Sequence, residues 1–199
     1  MMKKQLCIFI IVSFLVLLTA CQEQNDPAEK APLENLFAQS ELSYGEYLVI
    51  FKDVVSRVDA MNIQDPELKR WVIRAIGDEK LTNKRDLSEA EAMEKAQENY
   101  QQNKAWMTVA EKKYGITISD EELDIWLEEG PDQADIPLQK AYADALGLTI
   151  KELNRNFDRE LYEPTLLWEK LIPVLEEEHG TTEREKLLEA FEKEVDKTL

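Results

Sequence analysis

Apolar residues recur at helical intervals along most of the chain from Ser43 onward. The first such stripe consists of Tyr47, Phe51, Val54, Val58 and Met61. Residues three or four positions apart share one face of a helix, so this spacing favours an amphipathic helix. Ser43 and Glu46 stand just before the stripe at the spacing of a capping box. The pattern predicts a first helix over about 44–61.

A second, shorter helix is predicted after Asp65 and Pro66, which read as an N-cap followed by a first-turn proline. Its apolar stripe is Leu68, Trp71, Val72, Ala75 and Ile76. Gly77 follows the stripe directly, and glycine commonly ends helices. We therefore expect the second helix to stop there.

A long helix is predicted from Ser88 to Tyr114. Ser88 and Glu91 form another capping box, and the segment is rich in strong helix formers. Its apolar stripe is interrupted at 101–104 by Gln, Gln, Asn and Lys. We expect one solvated turn in the middle of this helix.

The stretch KKYGITISDEELDI at 112–125 predicts a tight junction between two helices. Gly115 stands where the preceding helix needs a left-handed residue after its last turn. Ile116 and Ile118 are placed as an apolar staple. Ser119 and Glu122 then form a capping box that opens a new helix, which we expect to end at 130–131, a Gly-Pro pair.

The remaining chain predicts more helices. One begins near Pro137 and ends at Gly147, and a capping box of Thr149 and Glu152 opens the next. Prolines at 164 and 173 fall inside the apolar run that follows. Proline removes an amide donor and clashes with the preceding turn, so we expect both to break or kink this run into two or three connected pieces. A last amphipathic helix is predicted from Thr182.

No segment alternates strictly between apolar and polar residues, and no hairpin signal lies between apolar runs. The sequence therefore predicts an all-α protein, an irregular multi-helix bundle over residues 43–199.

The first twenty-one residues have the plan of a bacterial export signal. Lys3 and Lys4 precede an apolar run at 6–18 that is too short for a comfortable membrane span. The ending Leu-Thr-Ala-Cys at 18–21 resembles the lipobox of bacterial lipoproteins. That resemblance implies a signal peptide at 1–20, cleavage before Cys21 and a lipid on the Cys21 sulfur. An uncleaved signal anchor and a plain secretory signal are the alternatives.

Residues 21–42 carry two prolines and scattered charge without a sustained period, which indicates a flexible tether behind the lipidated cysteine. The only other cysteine is Cys7, inside the predicted signal peptide. A mature chain would then have no second cysteine for a disulfide. Its stability would have to come from packing.

The formal net charge is −17. This charge argues against nucleic acid as a partner and against flat adsorption to an anionic bilayer, because both carry the same sign. It leaves cationic or unfolded polypeptides open as partners, although a general role in solubility is the more common explanation.

Catalytic signatures are scarce. His179 is the only histidine, and Glu176 stands one helical turn before it, so a surface metal contact is geometrically possible. A favourable histidine at a helix end explains the pair more simply. No phosphate loop, metalloprotease motif or serine elbow occurs. We predict no enzyme activity, no cofactor and no metal site.

The junction at 112–123 and the later stretch ALGLTIKEL at 145–153 resemble, in order and spacing, the helix junctions of SurA-type N-terminal chaperone domains. Ser43 to Tyr47 is similar to the start of that domain's opening helix. The resemblance covers about 43–175 and implies a helical peptide-binding domain. In the same family a parvulin isomerase domain follows. Too few residues remain after Pro173 for one, so we expect no isomerase activity.

The resulting functional hypothesis is a chaperone-like protein, lipid-anchored on the extracytoplasmic face of a bacterial membrane, that binds unfolded or partly folded exported proteins. Its apolar groove would be lined by Trp71, Trp106, Met107, Trp126 and Trp168. Aromatic and methionine side chains adapt to varied apolar partners, yet each of these residues could equally be core. The alternatives are a dedicated adaptor that binds one folded partner, and a relic of a foldase.

Overall fold

The structure, a computed structural model, describes residues 42–199. Within that range it contains helices and no strand, so the predicted all-α fold is confirmed. The α-helices are α1 (Tyr44–Ala60), α2 (Pro66–Asp78), α3 (Glu89–Tyr114), α4 (Asp120–Glu129), α5 (Pro137–Leu146), the single turn α6 (Ile150–Glu152), α7 (Arg159–His179) and α8 (Arg184–Asp196).

Several predicted features lie outside the described residues. These are the signal peptide at 1–20, the lipid attachment at Cys21 and the tether up to residue 41. Over residues 42–199, none of the helices combines the length and the apolar character needed to cross a membrane.

All four predicted capping boxes are present. At the junction that precedes α4, the Ser119 amide donates to Glu122 Oε2 at 2.8 Å and the Glu122 amide donates to Ser119 Oγ at 3.2 Å. The same reciprocal pair occurs at the starts of α1, α3 and α6. Gly115 ends α3 with φ +66°, as its position predicts. Each box satisfies donors that a helix start leaves bare, and so fixes where the helix begins.

Two apolar cores lie along the molecule, and α3 takes part in both. The first core is formed mainly by α1, α2, α5 and the start of α3, with Phe51, Val54, Ile76 and Ala92 among its buried residues. The second core joins the end of α3 to α7 and α8. Its buried residues are Ala105, Val109, Ala110, Leu167, Leu171, Leu175, Leu187, Phe191 and Val195. Alanines on α3 in both cores allow neighbouring helices to approach closely.

The prediction that Gly77 ends the second helix is wrong. Helix α2 continues to Asp78 and passes into a π-helical turn at Glu79–Asn83, which Lys84 closes with φ +51°. Gly77 is buried, and a Cβ added there would lie 3.6 Å from the Phe51 ring. The glycine therefore lies where α2 packs against α1, at a place where an added methyl group would make an ordinary van der Waals contact, and it does not act as a helix stop.

The run that follows Thr149 does consist of connected helical pieces, as predicted, but the prolines do not divide it. Pro164 and Pro173 lie inside one helix, α7, and neither of them ends it. The break falls earlier, at Asp158, between the π-helical turn Leu153–Phe157 and α7. A proline at 164 leaves the carbonyl of Glu160 without its usual intrahelical donor. Asn103 supplies the missing donor, since its Nδ2 lies 2.9 Å from the Glu160 carbonyl oxygen.

Asn103 belongs to the polar middle turn of α3, which separates the contributions of that helix to the two cores. The sequence predicts that this turn is solvated, and Gln101 and Lys104 are indeed exposed. Asn103 is half-buried and bonds to α7. The polar interruption in the stripe therefore contains a cross-helix contact that the periodicity alone does not reveal.

We expect Asn103→Ala to lower the free energy of unfolding by about 1–2 kcal/mol, because it leaves the Glu160 carbonyl unsatisfied. In a Pro164→Ala background, the alanine at position 164 donates its own amide to the Glu160 carbonyl. The loss of unfolding free energy caused by Asn103→Ala should therefore be smaller. Urea unfolding of the four combinations measures the coupling. Pro173→Ala is the matched control background, in which the full cost should remain. If Asn103→Ala lowers the free energy of unfolding equally with and without the proline at position 164, Asn103 does not replace the donor that the proline removes.

Candidate functional site

Three of the five side chains predicted to line a groove come together in the second core. The Trp106 and Trp168 rings lie 6.1 Å apart, and Phe191 of α8 packs against them with ring distances of 4.8 and 6.3 Å. Met107 packs on the same core, and all three predicted residues are half-buried. Phe191 therefore occupies the space between these aromatic rings, and α8 covers them.

Trp71 and Trp126, the other two side chains predicted to line a groove, lie outside the second core. Trp71 is 5% exposed in the first core, where its ring lies 6.1 Å from Tyr100 and 4.7 Å from the Arg74 guanidinium carbon. Trp126 is half-buried on α4 and packs 6.0 Å from the Tyr162 ring. The contacts thus divide the five residues among three places.

A buried ion cluster joins α2 to the start of α7. The Arg74 side chain is only 5% exposed; its Nε donates to Asp158 Oδ1 at 3.0 Å, and its two Nη groups donate to Glu160 and to the Phe157 carbonyl. Arg70, one turn earlier on α2, donates to Glu160 at 3.3 Å. Since a buried guanidinium is costly unless its donors are satisfied, these acceptors explain how Arg74 is tolerated inside the first core.

The carboxyl groups around Arg74 titrate abnormally. Burial raises the pKa of Asp158 to about 6, against the opposing effect of Arg74. Burial, reinforced by the negative charge of Asp158, likewise raises the pKa of Asp78 to about 6. Burial also raises the pKa of the Tyr142 hydroxyl, which has no hydrogen-bond partner among the described residues.

Raised carboxyl pKa values are typical of general acids, so this cluster is an obvious place to look for catalysis. Asp158 is engaged with Arg74 inside the protein, and neither Asp78 nor Asp158 lines either of the two concavities described below. The arrangement is best explained as a structural link between α2 and α7.

No metal centre is apparent in residues 42–199, where no group of three or more His, Cys, Asp or Glu side chains is placed to share an ion. His179 lies at the last residue of α7, with its Nε2 4.0 Å from Glu178 Oε2.

A shallow, open concavity lies where the loop 61–65, which follows α1, meets the start of α2 and the start of α3. It has a volume of about 450 Å³ and is lined by Met61, Ile63, Gln64, Asp65, Leu68, Glu89, Ala90 and Met93. We call it the methionine concavity. Its apolar lining consists mainly of Met61, Ile63, Leu68 and Met93, all of which are half-buried.

Local chain geometry builds this concavity. Helix α1 ends with Met61 as its C-cap, and Asn62 follows in a left-handed conformation with φ +52°. That turn brings Ile63 and Gln64 around to Asp65, which caps α2 through Oδ1 by accepting from the amides of Glu67 and Leu68 at 2.9 and 3.3 Å. Met93 and Glu89 reach the same place from the first turns of α3.

The rim of the methionine concavity is acidic. Neither Asp65 nor Glu89 forms an ion pair with any residue in 42–199, and the hydrogen bonds that Asp65 accepts there use only Oδ1. Lys69, one turn after Asp65, instead pairs with Asp59 at 2.7 Å. Arg85, four residues before Glu89, pairs with Glu79 and Glu91. The two rim carboxylates therefore have no cationic side-chain partner among the described residues, and only the amino-terminal ends of α2 and α3 offset their charge.

Sequence reasoning does not find this site. Met61, Leu68 and Met93 belong to the apolar stripes of three different predicted helices, and Ile63 and Gln64 fall in a loop. The only local signal is the position of two methionines near the ends of predicted helices. This signal does not indicate that those helix ends lie close together.

A second concavity begins at the first described residues. It is lined by Leu42, Ser43, Gly45, Glu46, Val49 and Ile50, and Val49 is 71% exposed. It lies on the outer side of the first turns of α1.

Comparisons of the chain with protein-family models, curated proteins and solved structures found no match. The site therefore has to be interpreted from its own geometry and chemistry.

The buried carboxyls predict an unusual dependence of stability on pH. Asp78 has a folded-state pKa of about 6, above its ordinary value of 3.8. The folded state thus binds more protons between these values, so this contribution to stability is present in full below about pH 4 and is lost as the pH rises through 6. Glu91 and Glu122 act oppositely. The capping bonds from Ser88 lower the pKa of Glu91 to about 2, and the hydrogen bond from Lys170, followed by the capping bonds from Ser119, lowers the pKa of Glu122 to about 2. Their contribution is lost below about pH 4.5.

We therefore expect urea unfolding, followed by tryptophan fluorescence, to show greater stability at about pH 5 than at about pH 7. Asp78→Asn should raise stability at pH 7, by up to about 2 kcal/mol, and reduce the change between the two pH values to the part that Asp158 contributes. Asp59→Asn, an exposed carboxylate paired with Lys69, is the control and should leave that change intact. An Asp78→Asn variant with an unaltered pH profile would contradict the assignment.

Proposed function

We propose that this chain is a bacterial lipoprotein, anchored through Cys21 on the extracytoplasmic face of a membrane, whose helical domain binds apolar segments of unfolded or partly folded exported proteins. The observation that carries the proposal is the methionine concavity, an open apolar surface formed by residues from two helices and the loop 61–65 between α1 and α2. The lipobox-like leader and the resemblance to SurA-type chaperone domains support the same function. No isomerase activity is proposed.

The size and lining of the methionine concavity suit a polypeptide side chain. Its volume of about 450 Å³ falls within the roughly 300–1,000 Å³ common for binding clefts. Met61 and Met93 have flexible, polarisable side chains that can repack around apolar groups of different shape. A site of this kind favours broad recognition of apolar residues over recognition of a single sequence.

The predicted tether would set how far this site stands from the bilayer. About 21 residues of flexible chain reach on the order of 25 Å. The domain could then meet exported chains near the membrane while its negative charge disfavours flat contact with anionic lipid.

The alternative, an adaptor for one folded partner, is favoured by a different observation. The largest aromatic cluster, Trp106 with Trp168, is already filled by Phe191. Strongly exposed apolar side chains such as Val49 and Ile125 occur on α1 and α4. Cross-linking in cells separates the two functions: many heterogeneous products indicate a chaperone, whereas one dominant partner indicates an adaptor.

The client-binding proposal predicts that the protein, in several-fold molar excess, suppresses aggregation of a reduced, unfolding client. Met93→Gln should weaken the suppression, because it places an amide in the apolar lining while keeping side-chain length and helix propensity. Met93→Leu is the matched control and should retain activity. Light scattering with each variant measures the effect. Wild-type protein without any effect would refute the general chaperone form.

The anchoring proposal predicts that Cys21→Ser abolishes metabolic labelling with fatty acid and moves the protein from the membrane fraction to the soluble fraction. The acyl chains supply about 0.8 kcal/mol for each methylene buried in the bilayer, and serine has no sulfur to carry them. Cys7→Ser is the control and should label normally. Persistent labelling of Cys21→Ser would exclude this attachment site.

A further inference from the structure

We propose that the methionine concavity selects polypeptide segments in which an apolar side chain is flanked by lysine or arginine. This inference rests on the proposed function and specifies the ligand class of the same site. It is drawn from the arrangement of charge around the concavity rather than from its apolar lining.

Two carboxylates stand at the rim of an apolar surface. Asp65 lies on the loop side and Glu89 on the α3 side, with Met93 and Leu68 among the residues that line the concavity with them. An apolar side chain placed in the concavity would put the residues on either side of it near these two groups. A cation at either flanking position would meet an acceptor there.

Both carboxylates are available to such a cation. Asp65 uses Oδ1 to cap α2, and Oδ2 has no hydrogen bond within residues 42–199. Glu89 is exposed on the first turn of α3 and has neither an ion pair nor a side-chain hydrogen bond in that range.

The neighbouring cations do not neutralise this rim. Lys69 is held by Asp59, and Arg85 is held between Glu79 and Glu91. Lys84 forms no ion pair among the described residues, but it lies in the loop before α3 and does not line the concavity. The overall charge of −17 adds a long-range attraction for cationic segments, and it repels anionic ones.

Other occupants fit less well. An anionic lipid surface or an acidic peptide would bring negative charge against Asp65 and Glu89. A neutral apolar segment could fill the concavity, but it would gain no charge contact with Asp65 Oδ2 or Glu89. Of these ligand classes, only a segment with both apolar and basic residues matches the apolar lining and also the acidic rim.

The test uses the full chain in nanodiscs of zwitterionic lipid and two short fluorescent peptides. In one peptide leucine and methionine alternate with lysine, and in the other glutamine replaces each lysine. Fluorescence anisotropy gives both affinities. We expect the cationic peptide to bind about three- to tenfold more tightly, the range that two exposed charge contacts provide. The difference should shrink between about 0.05 M and about 0.5 M salt, because salt screens exposed charges.

The double variant Asp65→Asn/Glu89→Gln should remove most of this preference, and asparagine at 65 retains the N-cap of α2. Glu128→Gln/Glu129→Gln is the matched control: it changes the net charge equally, but on exposed positions at the end of α4. This control should keep the preference. A preference that survives in Asp65→Asn/Glu89→Gln would overturn the inference, since the selecting charge would then lie elsewhere.

The results also show whether only the charge preference is wrong or whether the proposed function is wrong as well. If both peptides bind wild type equally and Met93→Gln weakens both, the concavity binds polypeptide without charge selection, and only the inference fails. If neither peptide binds, or if Met93→Gln weakens neither, the methionine concavity is not the binding site and the proposed function fails with it.

Discussion

Burial of the Arg74 guanidinium is the constraint on which much of the structure depends. A charged group this deep in an apolar core needs acceptors on several sides, and Asp158, Glu160 and the Phe157 carbonyl provide them from one short turn. That turn must therefore lie against α2. Because α7 starts there, its direction and starting point are set, and with them the position of the leucines that build the second core.

The two cores and the ion cluster explain how the described part of the chain holds together without a disulfide. Helix α3 contributes alanines to both cores, so the cores share a rigid element instead of a flexible linker. The open apolar surface, the methionine concavity, lies where the loop after α1 meets the starts of α2 and α3. Its half-buried apolar side chains, Met61, Ile63, Leu68 and Met93, pack on one side against the first core and leave their other side open to a partner.

The local signals in the sequence are reliable because they depend only on neighbouring residues. Capping boxes such as Ser119 with Glu122 specify helix starts within four residues, and the structure contains all four of them. The failures have non-local causes. Gly77 lies inside a helix that is packed against Phe51 on another helix, and the tolerance of Pro164 depends on Asn103 on a third. The candidate site escapes detection for the same reason, since its apolar residues come from a loop and two helices that meet only in three dimensions.

The hydrogen bond from Asn103 to the Glu160 carbonyl also affects how uniquely α3 and α7 are aligned with each other. Alanine packed against leucine looks much the same after a helix slides by one turn, about 5.4 Å, so the alanines and leucines of the second core do little to distinguish one alignment of α3 and α7 from the next. The contact of Trp106 with Trp168 supplies one distinction. Pro164 adds another by creating a carbonyl that needs a donor from outside its own helix, which Asn103 provides in this alignment. Proline is usually regarded as a defect inside a helix. Here Pro164 helps to specify one alignment of α3 with α7 over the alignments shifted by a turn.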